Sequence, residues 1–262
     1  KTAGEYKFVM TGNTVLDTIE WLSARSVSEE SPNNSDYIFF QNSIGYHFMP
    51  VSSLASQPPS YSYEAIPTST NQDPQSSGNL YKQFYNIEDF SIPKQFNRLE
   101  EMESGVYSSN IMIHDVINKR VIRNISTYIE DWENSSHCEK YPSLPLKNRF
   151  STKPDSYEVI RSRHEGLHDE YPNVQDYEQW LLKRVKSMGG FDSMKMEITV
   201  PGNSDIKVGE TINVRIPSSE PLKKQDSDWF DKYLSGKYLI TAVRHYIDIF
   251  ESRDYTAILE LS

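Results

Sequence analysis

The sequence predicts an α+β fold, mainly antiparallel β, in which a small β-barrel has a mixed α/β lobe inserted in it or adjoining it. Three observations predict this. Between Met194 and Leu261 four runs alternate apolar and polar residues between turns, the pattern of half-buried antiparallel strands. Three other stretches repeat apolar residues at helical spacing. The composition, with 17 Tyr, 11 Phe and only 37% hydrophobic residues, suits β structure and wet interfaces, where a ring has one apolar body and one polar tip.

The elements follow in order. Asn13 is placed to cap a helix from Thr14 to Arg25, with Val15, Ile19 and Leu22 on its apolar stripe and Leu16 beside it. A polar loop, Ser28 to Ser35, leads to an aromatic hairpin over residues 37–49 that turns at Gln41-Asn42-Ser43-Ile44-Gly45. Residues 67–79 hold the polar run Thr68 to Asn79, which cannot bury enough surface to order itself and reads as a mobile linker. A helix is predicted from Lys94 to Ser104, with Phe96, Leu99 and Met102 in register and Gly105 as its stop. Strands Val106–Val116 and Arg120–Tyr128 are joined at Ile117-Asn118-Lys119. After a loop-like stretch from Asp131 to Pro154, a third helix is predicted from Val174 to Met188, ended by Gly189-Gly190. Its stripe is Tyr177, Leu181 and Val185, with Trp180 and Leu182 in support.

The last four strands carry the apolar sets Met194, Met196, Ile198, Val200, then Ile212, Val214, Ile216, then the run Lys237 to His245, then Tyr255, Ala257, Leu259, Leu261. Their outward sets are Lys195, Glu197, Thr199 and Thr211, Asn213, Arg215. A sheet of this kind covers its apolar face by closing into a barrel or sandwich.

At 262 residues the chain can bury a proper core as one large or two smaller domains. Its formal charge of −10 offers no basic stripe for phosphate contacts. A single cysteine, Cys138, excludes an internal disulfide and points to a reducing cytosol. No apolar run approaches the roughly 18 residues that cross a bilayer, and Lys1-Thr2-Ala3-Gly4-Glu5 opens no signal peptide. The absence of an initiator Met reads as a chain lacking its amino-terminal region.

The order Val200-Pro201-Gly202, Val208-Gly209-Glu210, Ile216-Pro217, Leu234-Ser235-Gly236-Lys237-Tyr238-Leu239-Ile240, Val243-Arg244-His245 and Tyr255 to Leu261 resembles the C-terminal barrel of the central baseplate hub proteins of contractile-tail phages, the T-even-type myoviruses. The helix and aromatic hairpin, with Tyr37-Ile38-Phe39-Phe40 and Tyr46-His47-Phe48, are similar to that family's amino-terminal segment. The resemblance implies a tail-tube-like barrel interrupted by a second lobe. Residues 80–130 together with 191–262 would form the barrel, with strands 106–128 joining those of 194–261. Residues 1–66 would form the lobe, with 131–190 as a helical insertion. It implies a structural, non-enzymatic hub ring, a homotrimer adapting the sixfold tail tube to the threefold central spike. Its partners would be the spike, tail tube and baseplate wedge proteins, and DNA would pass through without specific binding. The location implied is the virion's tail baseplate, assembled in the host cytoplasm, with no membrane and no cofactor.

One motif could carry chemistry. His164-Glu165-Gly166-Leu167-His168 matches H-E-x-x-H, in which a helix aims two imidazoles at one zinc while the glutamate activates its water. Gly166 weakens such a helix by about 1 kcal/mol, the flanks are polar on every face, and Pro172 ends it within a turn. No third ligand stands at a recognisable spacing. A metal-dependent hydrolase using His164, Glu165 and His168 is therefore the alternative reading, and stoichiometric zinc lost in His164→Ala would favour it. His114 and His245 are lone histidines, Cys138 lies among polar residues, and the runs Glu100-Glu101-Met102-Glu103 and Glu130-Asp131 read as solvated faces.

Overall fold

The structure, a computed structural model, describes residues 1–2, 12–29, 35–65, 84–94, 99, 101, 103, 105–106, 108–116, 118–127, 137–138, 158–163, 177–218, 230–250 and 254–262. The chain divides into two compact units: residues 1–53, 96–137 and 142–193 form the first, and residues 54–95, 138–141 and 194–262 the second.

The second unit is built on one six-stranded sheet. In chain order its strands are β3 (Tyr61–Glu64), β4 (Asp89–Lys94), β8 (Lys195–Pro201), β9 (Thr211–Arg215), β10 (Gly236–Ile247) and β11 (Tyr255–Leu261). In space the order is β3-β9-β10-β11-β8-β4, antiparallel throughout except for β3 against β9. The ends of the sheet meet. Glu64 of β3 donates to the Tyr85 carbonyl at 2.9 Å and accepts from Ile87 N–H at 3.1 Å, just before β4 begins. Curling this way hides one face, and Met196, Ile198, Val200, Ile212, Val214, Ala257, Leu259 and Leu261 fill the interior. Burial of the core tyrosine Tyr63 pushes its phenol above the usual range.

The period-2 reading of 194–261 therefore holds for β8, β9 and β11, whose buried residues alternate. In β10 the register slips between Ile240 and Ala242, and a bulge of this kind breaks alternation. Among the described residues, the expected pairing of 106–128 with these strands is not made. β5 (Ser108–Asp115) and β6 (Arg120–Thr127) form a separate sheet in the first unit, where β7 (Glu158–Arg163) adds in parallel to β5. Its apolar face, Ile111 and Ile113 with Ile122 and Val159, is covered by Leu181 and Leu182 of α3 (Tyr177–Phe191). A local helix supplies the cover that the barrel was expected to give. β3 also departs from the sequence reading, which placed it in the lobe; its partner is β9.

In the first unit, α1 (Val15–Arg25) packs on β1 (Tyr37–Gln41) and on α3. Arg25 of α1 lies over the rings of Trp21 and Trp180, 4.1 and 5.2 Å from their centroids. The N-cap is Thr14 rather than Asn13, and Thr14 and Asp17 form a reciprocal capping box. The buried side of α1 includes Thr18 and Ser23, while Val15 and Leu16 are exposed. β1 pairs with β2 (Tyr46–Pro50), stacking Tyr37 on Phe48, Phe39 on Tyr46 and Phe40 on His47. The chain then enters a short helix, α2 (Val51–Ala55).

The helix expected from Lys94 begins later, because Lys94 closes β4; Phe96 and Met102 lie outside the described residues. Gly105, at φ 85, ends it as expected, and Val106 N–H bonds back to the Glu101 carbonyl at 3.0 Å. α3 runs through Gly189-Gly190 to Phe191 instead of stopping there. Gly189 is a packing glycine: a Cβ at that position would lie 2.2 Å from Cγ2 of buried Val106.

Candidate interaction surface

The barrel interior is filled with side chains, so its chemistry faces outward. Register places the outer face in rows across the strands. One row is Arg244, Ile258, Thr199 and Asp89, on β10, β11, β8 and β4. In the next, Glu260 lies opposite Glu197, with Ser91 beyond it. Lys195 opposes Lys94 at the far end. Like charges directly opposite on a sheet repel, and both pairs stay near water: Lys195 and Glu260 are exposed, Lys94 and Glu197 half-buried.

Of the outward residues expected from sequence, Lys195 and Arg215 are exposed, and Glu197, Thr199 and Asn213 are half-buried. The Arg215 guanidinium sits 5.6 Å from the ring centroid of Phe230. Thr211, expected to face outward, is wholly buried. Residues 54–57 lie over that end of the face: the Thr211 hydroxyl donates to the Gln57 carbonyl at 3.1 Å, and the Lys237 ammonium donates to the Ala55 carbonyl.

A feature that the sequence reading passed over is the arm made by the distal halves of β10 and β11. β9 pairs with β10 over Gly236 to Leu239, and Glu210 and Gly209 exchange backbone bonds with Ile240. From Thr241 to Ile247, β10 pairs among the described residues with β11 alone. Tyr246, Ile247, Ile249 and Phe250 are exposed there, Phe250 by 93%. The arm's base is firm: Gly202 N–H donates to the Tyr255 carbonyl at 2.7 Å, the Tyr255 ring lies where a Gly202 Cβ would be, and the Tyr255 hydroxyl meets His245 Nδ1 at 3.0 Å. A signal was available, since Tyr246-Ile247-Asp248-Ile249-Phe250 is apolar where a hairpin connection is ordinarily polar. A second exposed apolar group, Phe84, Tyr85 and Phe90, borders β4 beside the exposed acids Glu88 and Asp89.

Two charged groups of the first unit, Asp36 and Arg184, serve its own packing. Asp36 is buried and accepts Ser52 N–H at 2.6 Å; desolvation raises its pKa, against the lowering effects of Ser52 and of nearby Arg184. Arg184 donates to the carbonyls of Ser23 and Tyr37 at 3.2 and 3.0 Å, tying α3 to α1 and β1. Burial lowers its pKa while Asp36 and Glu20 raise it. Glu101 is buried, unlike the solvated face expected of its run.

His164, Glu165 and His168 lie outside the described residues. Arg161 to Arg163, directly before them, belong to strand β7, so the chain enters the motif from a strand. His114 is exposed on β5, and Cys138 is half-buried. Among the described residues no group of three or more His, Cys, Asp or Glu is placed to hold a metal, and no helix is long and apolar enough to cross a membrane.

No family model and no curated protein matches the chain. Among solved structures it is similar to the 43 kDa tail protein of prophage MuSo2 from Shewanella oneidensis, at 11% identity and a TM-score of 0.46. The likeness covers 97% of this chain and 53% of that one, so this chain spans about half that tail protein's length.

Proposed function

We propose that this chain is a structural component of a contractile phage tail: a baseplate hub that forms a homotrimeric ring between the sixfold tube and the threefold central spike. The observation that carries the reading is the curled, apolar-filled, barrel-like sheet built from the segment that resembles the hub family. Such a body leaves its outer strands and its arm as working surfaces. Closed rotational symmetry covers strand edges and apolar patches without forming fibres. On this reading the partners are the spike, the tube and the baseplate wedges, DNA passes without specific contact, and the site of action is the virion's baseplate. Light scattering of the purified protein is expected to give three times the 30.3 kDa chain mass, and that mass plus the spike's when the spike is added. A monomer under both conditions would overturn the reading.

A further inference from the structure

We infer that copies of this chain join head to tail, the β10–β11 arm of one seating against the β4 border of the next. The inference rests on the ring reading above and names the contact that closes it. Two features of the barrel unit are unlike each other and mutually suited. The arm presents Tyr246, Ile247, Ile249 and Phe250 with Arg244 on its outer face. The β4 border presents Phe84, Tyr85 and Phe90 with the acids Glu88 and Asp89.

Each feature is also a strand edge. Beyond Ile240 one side of β10 pairs with no other strand among the described residues. Among the described residues β4 itself pairs with β8 alone, since the backbone bonds to β3 fall before it, at Tyr85 and Ile87. Edges of this kind pair with another chain unless they are blocked. Arg244 and Asp89 fall in the same outer row of the sheet, so edge-to-edge docking with continuous outer faces brings opposite charges to one side of the seam. The occupant is a second copy because every copy carries both halves. Unlike halves give a heterologous contact, which closes into a ring where the rotation permits.

The test uses light scattering on two variants of this chain. Ile249→Asp/Phe250→Asp disables the arm, and Phe84→Asp/Asp89→Arg disables the border. The altered positions are all exposed, so circular dichroism and melting temperature should match wild type. Each variant alone is expected to lose self-association by at least about tenfold. An equimolar mixture should recover dimers holding one copy of each, since such a pair keeps one intact arm and one intact border. As a second measurement, Arg244→Glu should weaken assembly, and Asp89→Arg added in the same chain should restore it. Assembly indifferent to both disabling variants, or a mixture that stays monomeric while wild type assembles, overturns this contact and leaves the ring reading standing. A monomeric wild type overturns both.

Discussion

Asp115 has no exposed side-chain surface, yet its carboxyl is held down to about 2. The Asn118 side chain contributes most, donating at 2.8 Å; burial opposes it, and Asn118 N–H and the Arg120 guanidinium add to the lowering. A carboxylate depressed in the fold stabilises it above the unfolded value of about 3.9, and that stabilisation fades as pH falls toward the folded value. Asp115→Asn places an amide donor among these donors. It should melt below wild type at pH 7, with the gap closing as pH approaches 2 in a series of thermal melts. Arg184 makes a second residue-scale case. Its loss removes a favourable charge near buried Asp36 and frees two carbonyls, so Arg184→Ala is expected to cost about 2 kcal/mol in urea unfolding.

At the scale of elements, adjacent glycines of α3 separate packing from propensity. Gly190 has open space where a Cβ would go, whereas Gly189 would meet Val106. Gly190→Ala should stabilise by about 0.5–1 kcal/mol through backbone entropy alone. Gly189→Ala should instead destabilise by about 1–2 kcal/mol, because overpacking outweighs the same propensity gain. Denaturant melts of both variants that moved in one direction would refute this account. Thr14→Ala removes the capping box of α1 and is expected to cost about 1 kcal/mol.

For the whole molecule, the curl of the barrel sheet is held at its ends by a few backbone bonds. Glu64 holds Tyr85 and Ile87 across the gap in the strand order, so the strands on either side of residues 67–79 are pinned independently of that segment. Its polar composition makes it a proposed site for protease nicking. A chain nicked there should keep the barrel's melting temperature, whereas Leu259→Ala, in the sealed interior, should lower stability by about 2–5 kcal/mol. A nick that unfolds the barrel would show that continuity through this segment is what holds it.

Much of the fold was legible locally. Alternation located β8, β9 and β11, the apolar run after Ser235-Gly236 located β10, the helical stripes located α1 and α3, and the aromatic run with its Asn-Ser-Ile-Gly turn located β1 and β2, because burial period and turn chemistry act within a dozen residues. Partner choice was not legible. Strands Ser108–Asp115 and Arg120–Thr127 have the same period whether they face the barrel or α3, and only the presence of Leu181 and Leu182 over Ile111 and Ile113 decided it. Thr211 alternated outward on paper and was buried by residues 54–57, which no strand pattern reports. Gly189 read as a helix stop and became a contact, since the atom it spares, Val106 Cγ2, is distant in sequence. The sequence by itself determined the long elements and the buried face of three barrel strands, but not the short α2, β3, β4 and β7; tertiary structure decided those, which sheets form and which surfaces stay open, because they depend on neighbours brought together only by folding.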